Sequence, residues 1–196
     1  MRYYIFMNDP FIYSNAKSLS KILCDEIIEL FEKSSDKHEG YVISGLRQNV
    51  KNTDELVIPK DDIAWSRIHK LLEKELIRNI KNYISKCNAF LPDYYNIFNS
   101  DLFTETIQIQ RYRKNIGKYI YHNDGLVRDS KIRRLTFIWY LNDVLDGGET
   151  EFLGFKIVPE VGKLFIFPAT WTYPHKANIP ISNDKYIMTG WLCEHC

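Results

Sequence analysis

Cysteine is scarce in this 196-residue sequence, with Cys24, Cys87, Cys193 and Cys196 its only thiols. Four scattered cysteines make no disulfide framework, which suits a reducing compartment. The closing Cys193-Glu194-His195-Cys196 offers half of the four ligands that structural zinc takes, so a frayed tail with free thiols is expected there. An excess of either charge is lacking too: 26 basic side chains stand against 25 acidic ones. Nothing in that balance draws the protein onto nucleic acid or an anionic membrane, which leaves a small or peptidic partner. No apolar stretch approaches the ~18 residues of a membrane span. The first ten residues lack the charged start, apolar run and cleavage site of a signal peptide. A soluble, cytoplasmic protein is expected. Repeats and low-complexity linkers are missing as well, and the length suits one domain over 1–196. Oligomeric state cannot be read from any of this.

What is present is a core, with 45% hydrophobic and 14% aromatic residues, ordered as helices first and strands afterwards. After Ser18, which can cap, Leu19, Leu23, Ile27, Leu30 and Phe31 form one stripe and predict an amphipathic helix from Leu19 to Lys33. A second helix follows from Asp61 or Asp62 to Cys87, with Trp65, Ile68, Leu72, Leu76, Ile80 and Ile84 at helical spacing. Between them, Gly40–Lys60 is turn-rich and polar and reads first as a solvated connection that includes a short strand, with a loop over a site as the alternative. Beyond Pro92, β-branched and aromatic residues dominate. Strands are expected over 104–113, 134–141, 151–152, 155–158, 163–167 and 185–192, separated by turns such as Asp146-Gly147-Gly148. The fold class is α+β: a double-stranded β-helix (jelly-roll, cupin-like) core over 102–192, with helical support over 18–88 packed on one sheet.

His122-Asn123-Asp124 sets an imidazole and a carboxylate two residues apart, so both point to the same side of an extended chain. Such a pair alone arises by chance about half the time in a chain of this composition. His175, 51 residues after Asp124 and within the same β region, adds a third donor. Two histidines and one carboxylate make a facial triad that leaves open positions and suits Fe(II). Zinc hydrolases share that donor set, but the helical His-Glu-x-x-His pattern is missing. Lys185, ten residues beyond His175, supplies a cation for the second carboxylate of a ligand chelated to the metal. A dicarboxylic 2-oxo acid fits both ends.

In its β region the sequence resembles the prolyl 4-hydroxylase-like branch of the Fe(II)/2-oxoglutarate oxygenases. The likeness is carried by Gln110-Arg111-Tyr112, Gly117-Lys118-Tyr119 leading into His122-Asn123-Asp124, and the run from Thr136 to Val144. It continues through Gly147-Gly148-Glu149-Thr150, Pro159, Gly162, Phe167, His175, Pro180, Lys185 and Trp191. The resemblance implies iron on His122, Asp124 and His175, the distal carboxylate of 2-oxoglutarate on Lys185, and hydroxyl hydrogen bonds to it from Tyr112 and Thr150. It implies hydroxylation coupled to decarboxylation of 2-oxoglutarate to succinate, with O2 as cosubstrate and ascorbate as auxiliary reductant. Trp191 matches a family tryptophan near the pocket, although a buried strand tryptophan is its plain reading. Asp124 in the carboxylate position argues against a halogenase. Asn183-Asp184 departs from the family's usual glycine before the lysine, a change a turn tolerates.

The expected substrate is a peptidyl proline. A free amino acid or small metabolite stays open as the alternative, as does a non-catalytic β-barrel binding protein that kept the shape of the site. Nucleic-acid demethylating relatives carry an arginine clamp and a basic lid, which Lys185 and the near-neutral charge do not match.

Overall fold

The computed structural model describes residues 9–59, 62–93, 98 and 101–196; the opening Met1–Asn8, Lys60 and Asp61 lie outside the described residues. The order begins with β1 (Tyr13–Asn15), α1 (Lys21–Lys33), β2 (His38–Glu39), β3 (Lys51–Asn52), β4 (Asp54–Val57) and α2 (Ile63–Phe90). It goes on with β5 (Phe103–Tyr112), β6 (Lys118–His122), β7 (Val127–Arg128), β8 (Lys131–Tyr140) and β9 (Thr150–Phe152). It ends with β10 (Phe155–Ile157), β11 (Leu164–Pro168), β12 (His175–Ala177) and β13 (Lys185–His195).

Two antiparallel sheets result. The larger runs β1-β11-β8-β13-β5-β4-β2, with β7 beside β8, and the smaller runs β10-β9-β12-β6-β3. Together with the two helices they form the α+β double-stranded β-helix expected from the sequence, and the sheets do not close into a barrel.

Alternation along the central strands sorts their side chains. On β8, Leu135, Phe137 and Trp139 join Ile27 and Phe31 of α1 and Ile68, Leu72 and Leu76 of α2 in one apolar cluster. The residues between them, Ile138 and Tyr140, belong to a second cluster with Phe152, Phe165 and Phe167 on the opposite side of the sheet. A period of two is what a pleated strand imposes. Each helix therefore lays its stripe on the larger sheet, and the cleft between the sheets is left to other residues.

Several expectations need correction at the edges. Helix α1 is capped by Ser20, whose side chain accepts from Leu23 N at 3.2 Å. Ser18, expected as that cap, instead donates to Glu75 Oε1 (2.9 Å) and accepts from Trp139 Nε1 (2.9 Å), tying the helix entrance to α2 and β8. Asp62 caps α2 through bonds from Ala64 N and Trp65 N. Within Gly40–Lys60 the chain is more than a connection. It contributes β3 to the smaller sheet through Lys51↔Tyr119 and β4 to the larger through Glu55↔Gln110. The C-terminal tail is not frayed. β13 runs on to His195, Cys193 and Glu194 are buried, and Glu194 takes a bond from Arg134 Nε at 2.5 Å. Its cysteines are free thiols, Cys193 buried and Cys196 exposed.

Candidate metal centre and its cavity

A cavity of about 590 Å³ opens between the two sheets, and all six residues singled out by sequence as binding groups line it. His122 ends β6 and His175 begins β12, where the two pair directly in register. Asp124 lies two residues past His122. The donor atoms of His122, Asp124 and His175 all fall within 4.8 Å of one another. His122 Nε2 stands 3.7 Å from Asp124 Oδ1, and His175 Nε2 stands 3.6 Å from Asp124 Oδ2. Donors that each bond one ion at about 2.1 Å sit roughly 3–4 Å apart, so the spacing suits a metal better than direct hydrogen bonds.

The tautomers agree. His122 Nδ1 lies 2.8 Å from Ile120 O and His175 Nδ1 lies 3.1 Å from Tyr173 O. A carbonyl oxygen can only accept, so each Nδ1 carries the proton and each Nε2 offers its lone pair toward Asp124. Burial, reinforced by the neighbouring His175, pushes His122 down to about 4, which keeps the imidazole neutral at pH 7. For Asp124, burial acts upward but is outweighed by His175, His122 and a bond from Thr136 Oγ1 (2.7 Å), so its carboxyl lies below the usual range and stays ionised. Two neutral imidazoles and one carboxylate form a donor set that could hold a divalent transition metal. The ring of Tyr119 stacks on His122, with centroids 3.5 Å apart and planes at 15°, and limits how that imidazole can turn.

Lys185 opens β13 with no exposed surface. Its ammonium donates to Gly148 O at 2.8 Å and lies 4.1 Å from the centroid of the Tyr112 ring. That carbonyl is presented by the turn Gly147-Gly148, both at positive φ (70° and 72°), where an added Cβ on Gly147 would come within 2.4 Å of Ile179 O. Among the described residues no carboxylate lies within ion-pair reach of Lys185. Burial lowers it to about 7, and Glu149 offsets only part of that. A buried lysine without a counter-ion is a seat for an anion.

Thr150 begins β9 with its Oγ1 accepting from Tyr140 O–H at 2.8 Å, which leaves the threonine's own proton to donate elsewhere. Tyr112 donates its hydroxyl to Gln110 Oε1 at 2.8 Å, so it meets Lys185 with its ring face. Trp191 is half-buried in the cavity wall rather than in the core. Arg133 lies over its ring, with the guanidinium carbon 3.5 Å from the centroid. The buried indole Nε1 has no hydrogen-bond partner among the described residues.

Sequence reasoning assigned no role to Thr136, Tyr119 or Tyr140, nor to the buried ion pair Lys51–Glu55 (2.6 Å) in the cavity wall. A signal for two of them was available: Thr136 and Tyr140 alternate with Leu135, Phe137, Trp139 and Leu141, which puts them on the face away from the helices. For Lys51 and Glu55 there was none, since a Lys–Glu pair four apart reads first as a solvated one.

Residues 107–193 match the family model described as the 2OG-Fe(II) oxygenase superfamily. No curated protein matches the chain. Among solved structures, the chain is similar to a viral collagen prolyl hydroxylase from Paramecium Bursaria Chlorella virus-1 in its 2OG complex. That match has a TM-score of 0.67 at 19% identity and covers 96% of this chain and 98% of the other. A prolyl hydroxylase from Trichoplax adhaerens, in complex with a hypoxia inducible factor peptide fragment, has a TM-score of 0.72 at 20% identity, covering 95% and 84%. A Pseudomonas putida prolyl-4-hydroxylase has a TM-score of 0.68 at 18% identity, covering 94% and 93%. The matched segment contains the whole His-Asp-His cluster and Lys185, so over residues 107–193 the chain is similar to the 2OG-Fe(II) oxygenases, enzymes that use Fe(II), 2-oxoglutarate and O2, and its fold is shared with the prolyl hydroxylases named above.

Proposed function

We propose that the protein hydroxylates a peptidyl proline, with His122, Asp124 and His175 holding Fe(II) and Lys185 pairing with the far carboxylate of 2-oxoglutarate. Thr150 donates its free proton to that carboxylate, and Tyr112 supports the ammonium. Bound iron with 2-oxoglutarate and O2 supplies the oxidising chemistry, and ascorbate keeps the metal reduced. The protein's own share is to orient and to exclude water. The observation that carries this reading is the buried ammonium of Lys185, without an acidic partner among the described residues, in the same cavity as three convergent metal donors.

A peptide residue is favoured over a free amino acid by the charges in the cavity wall. A free amino acid brings its own ammonium and carboxylate, and each needs a counter-charge when buried. Apart from Lys185 and the metal donors, the charged residues lining the cavity are already matched. Lys51 pairs with Glu55 at 2.6 Å, Arg133 with Glu105 at 2.8 Å, and exposed Arg128 lies 3.5 Å from Asp129. The interior of a peptide chain carries no terminal charges and fits such a wall. The prolyl hydroxylases of similar fold include one crystallised with a peptide and one described as acting on collagen. An intact donor set argues against a binding-only role.

The test is a panel of proline-containing peptides and free amino acids incubated with Fe(II), 2-oxoglutarate and ascorbate. Succinate release should match hydroxyproline formation in a peptide, read by mass spectrometry. Succinate coupled only to free amino acids would replace the peptide reading, and a protein that takes up no divalent metal would remove the enzymatic one.

A further inference from the structure

The turn leading into His175 is held from outside the β region. Residues 9–12 are fastened to α2, where Lys86 Nζ donates to Asp9 O (3.0 Å) and to Ile12 O, and Cys87 Sγ donates to Pro10 O (3.3 Å). From that anchorage the Asp9 carboxylate accepts the Tyr173 hydroxyl, at 3.0 Å on Oδ2 and 3.3 Å on Oδ1. The contact joins residues 164 positions apart. Tyr173 N closes the turn on Thr170 O at 3.0 Å, and Tyr173 O receives the Nδ1 proton of His175 at 3.1 Å. One residue is thus pinned at its phenol end by Asp9 and at its carbonyl end sets an imidazole.

The outer side of this turn is otherwise held by a hydrogen bond between the Thr170 and Thr172 hydroxyls (2.7 Å). Thr170, Trp171 and Thr172 are exposed, Trp171 at 78%. We infer that the Asp9–Tyr173 hydrogen bond is a positioning device for His175: it fixes the carbonyl that orients the ring and so aims Nε2 at Asp124. The inference rests on the reading of His175 as a metal ligand. Tyr173 is a positioning residue, since it touches neither metal nor substrate. Groups that orient a metal-bound histidine commonly carry a 10–100-fold share of metal affinity, and a group one bond further out is expected near the lower end.

Tyr173→Phe removes the hydroxyl and keeps the ring that packs against the second apolar cluster. The experiment is titration of the metal-free protein with Co(II), followed by visible absorption and calorimetry, beside thermal unfolding without metal. Tyr173→Phe and Asp9→Ala should each weaken Co(II) binding about ten-fold and alter the ligand-field bands. The double variant should lose no more than either single one, because both remove the same bond. Tyr13→Phe is the control. It breaks a hydroxyl bond from the same N-terminal stretch to Asn79 Oδ1 (2.9 Å), away from the turn, and should leave Co(II) affinity and spectrum unchanged. Co(II) binding by Tyr173→Phe within two-fold of the parent, with an unaltered spectrum, overturns the inference, as does an equal loss in Tyr13→Phe. Parent protein that binds no Co(II) overturns the ligand assignment itself, before any variant is compared.

Discussion

The two faces of the larger sheet are built to different ends, and β13 carries both. Met188 and Leu192 point toward the helices into a cluster with no ionisable member other than buried cysteine and tyrosine. Lys185, Ile187, Thr189 and Trp191, the residues between, line the cavity. The helix face does what a core does: it removes apolar surface from water, worth about 25 cal/mol per Å². Around the cavity, Gln110, Glu55, Thr136, Lys185 and Thr189 of the larger sheet and Lys51, Thr150 and His175 of the smaller one facing it are all buried polar groups. Burying such groups stabilises a fold little or not at all. One face is therefore explained by folding, and the other needs a ligand to explain it.

The contrast breaks most sharply at the proposed metal donors. His175→Ala should abolish divalent metal binding, and turnover should fall by well over the ~100-fold that follows loss of a group merely supporting a ligand. The metal-free protein should unfold no earlier than the parent. Succinate assays beside differential scanning calorimetry read both. A helix-face change should do the reverse. Phe31→Ala, from a residue with no exposed surface, should lower unfolding free energy by about 3–5 kcal/mol in urea titration while leaving the KM for 2-oxoglutarate unchanged. If Phe31→Ala moved that KM as strongly as a cavity residue does, the two faces would not be separable.

Next in size is Lys185→Met, which keeps length and removes charge. A hydrogen bond to a charged group contributes about 1.5–3 kcal/mol, so the KM for 2-oxoglutarate should rise about 10–100-fold. Stability without ligand should hold or increase, because an unpaired buried ammonium is gone. A variant both unstable and unimpaired in 2-oxoglutarate use would place Lys185 with the core.

The same contrast decides what the sequence could reveal. Helix stripes and the long strands from Phe103 onward are written in local periodicity, because one side of each element meets apolar neighbours over many residues. The proposed binding groups were legible as residue types at characteristic spacings in strands that register brings together around one cavity. What stayed hidden depends on partners far along the chain. β4 consists of Asp54, Glu55, Leu56 and Val57 and reads as a polar connection, yet it is a strand because β5 offers it an edge. β12 is three residues long, too short for any period to show. The tail containing Cys193 was expected to fray because it offers only half of a zinc site, with no second ligand pair to complete it. Arg134 accounts for the buried carboxylate, and the Phe103 ring stacks on His195 with centroids 4.7 Å apart. Tyr112 illustrates the limit for chemistry: its presence at the site was readable, but not that Gln110 takes its hydroxyl proton.

The smallest expected effect is a pH dependence, and it tests whether the charge on the cavity face is there for a ligand. Burial holds Lys185 near 7 in the free protein, far below the 10.5 of a solvated lysine. A bound dicarboxylate favours the ammonium, so binding takes up a proton once pH exceeds about 7. The KM for 2-oxoglutarate should then climb between pH 7 and 9, by at most about ten-fold per unit. His122, near 4, adds nothing in that window. Stability carries the matching sign. From about pH 7 up to 10.5 the unfolded chain binds more protons at this lysine than the folded one, so folding gains free energy as pH rises. Comparison of the parent with Lys185→Met, both free of metal and 2-oxoglutarate, isolates that slope. It should be present in the parent and missing in the variant, while Lys185→Arg, charged throughout, should flatten the KM profile. A KM that stays level from pH 7 to 9 in the parent would mean that the ammonium is already neutralised by something other than the ligand, and the cavity face would lose its clearest mark of difference from the helix face.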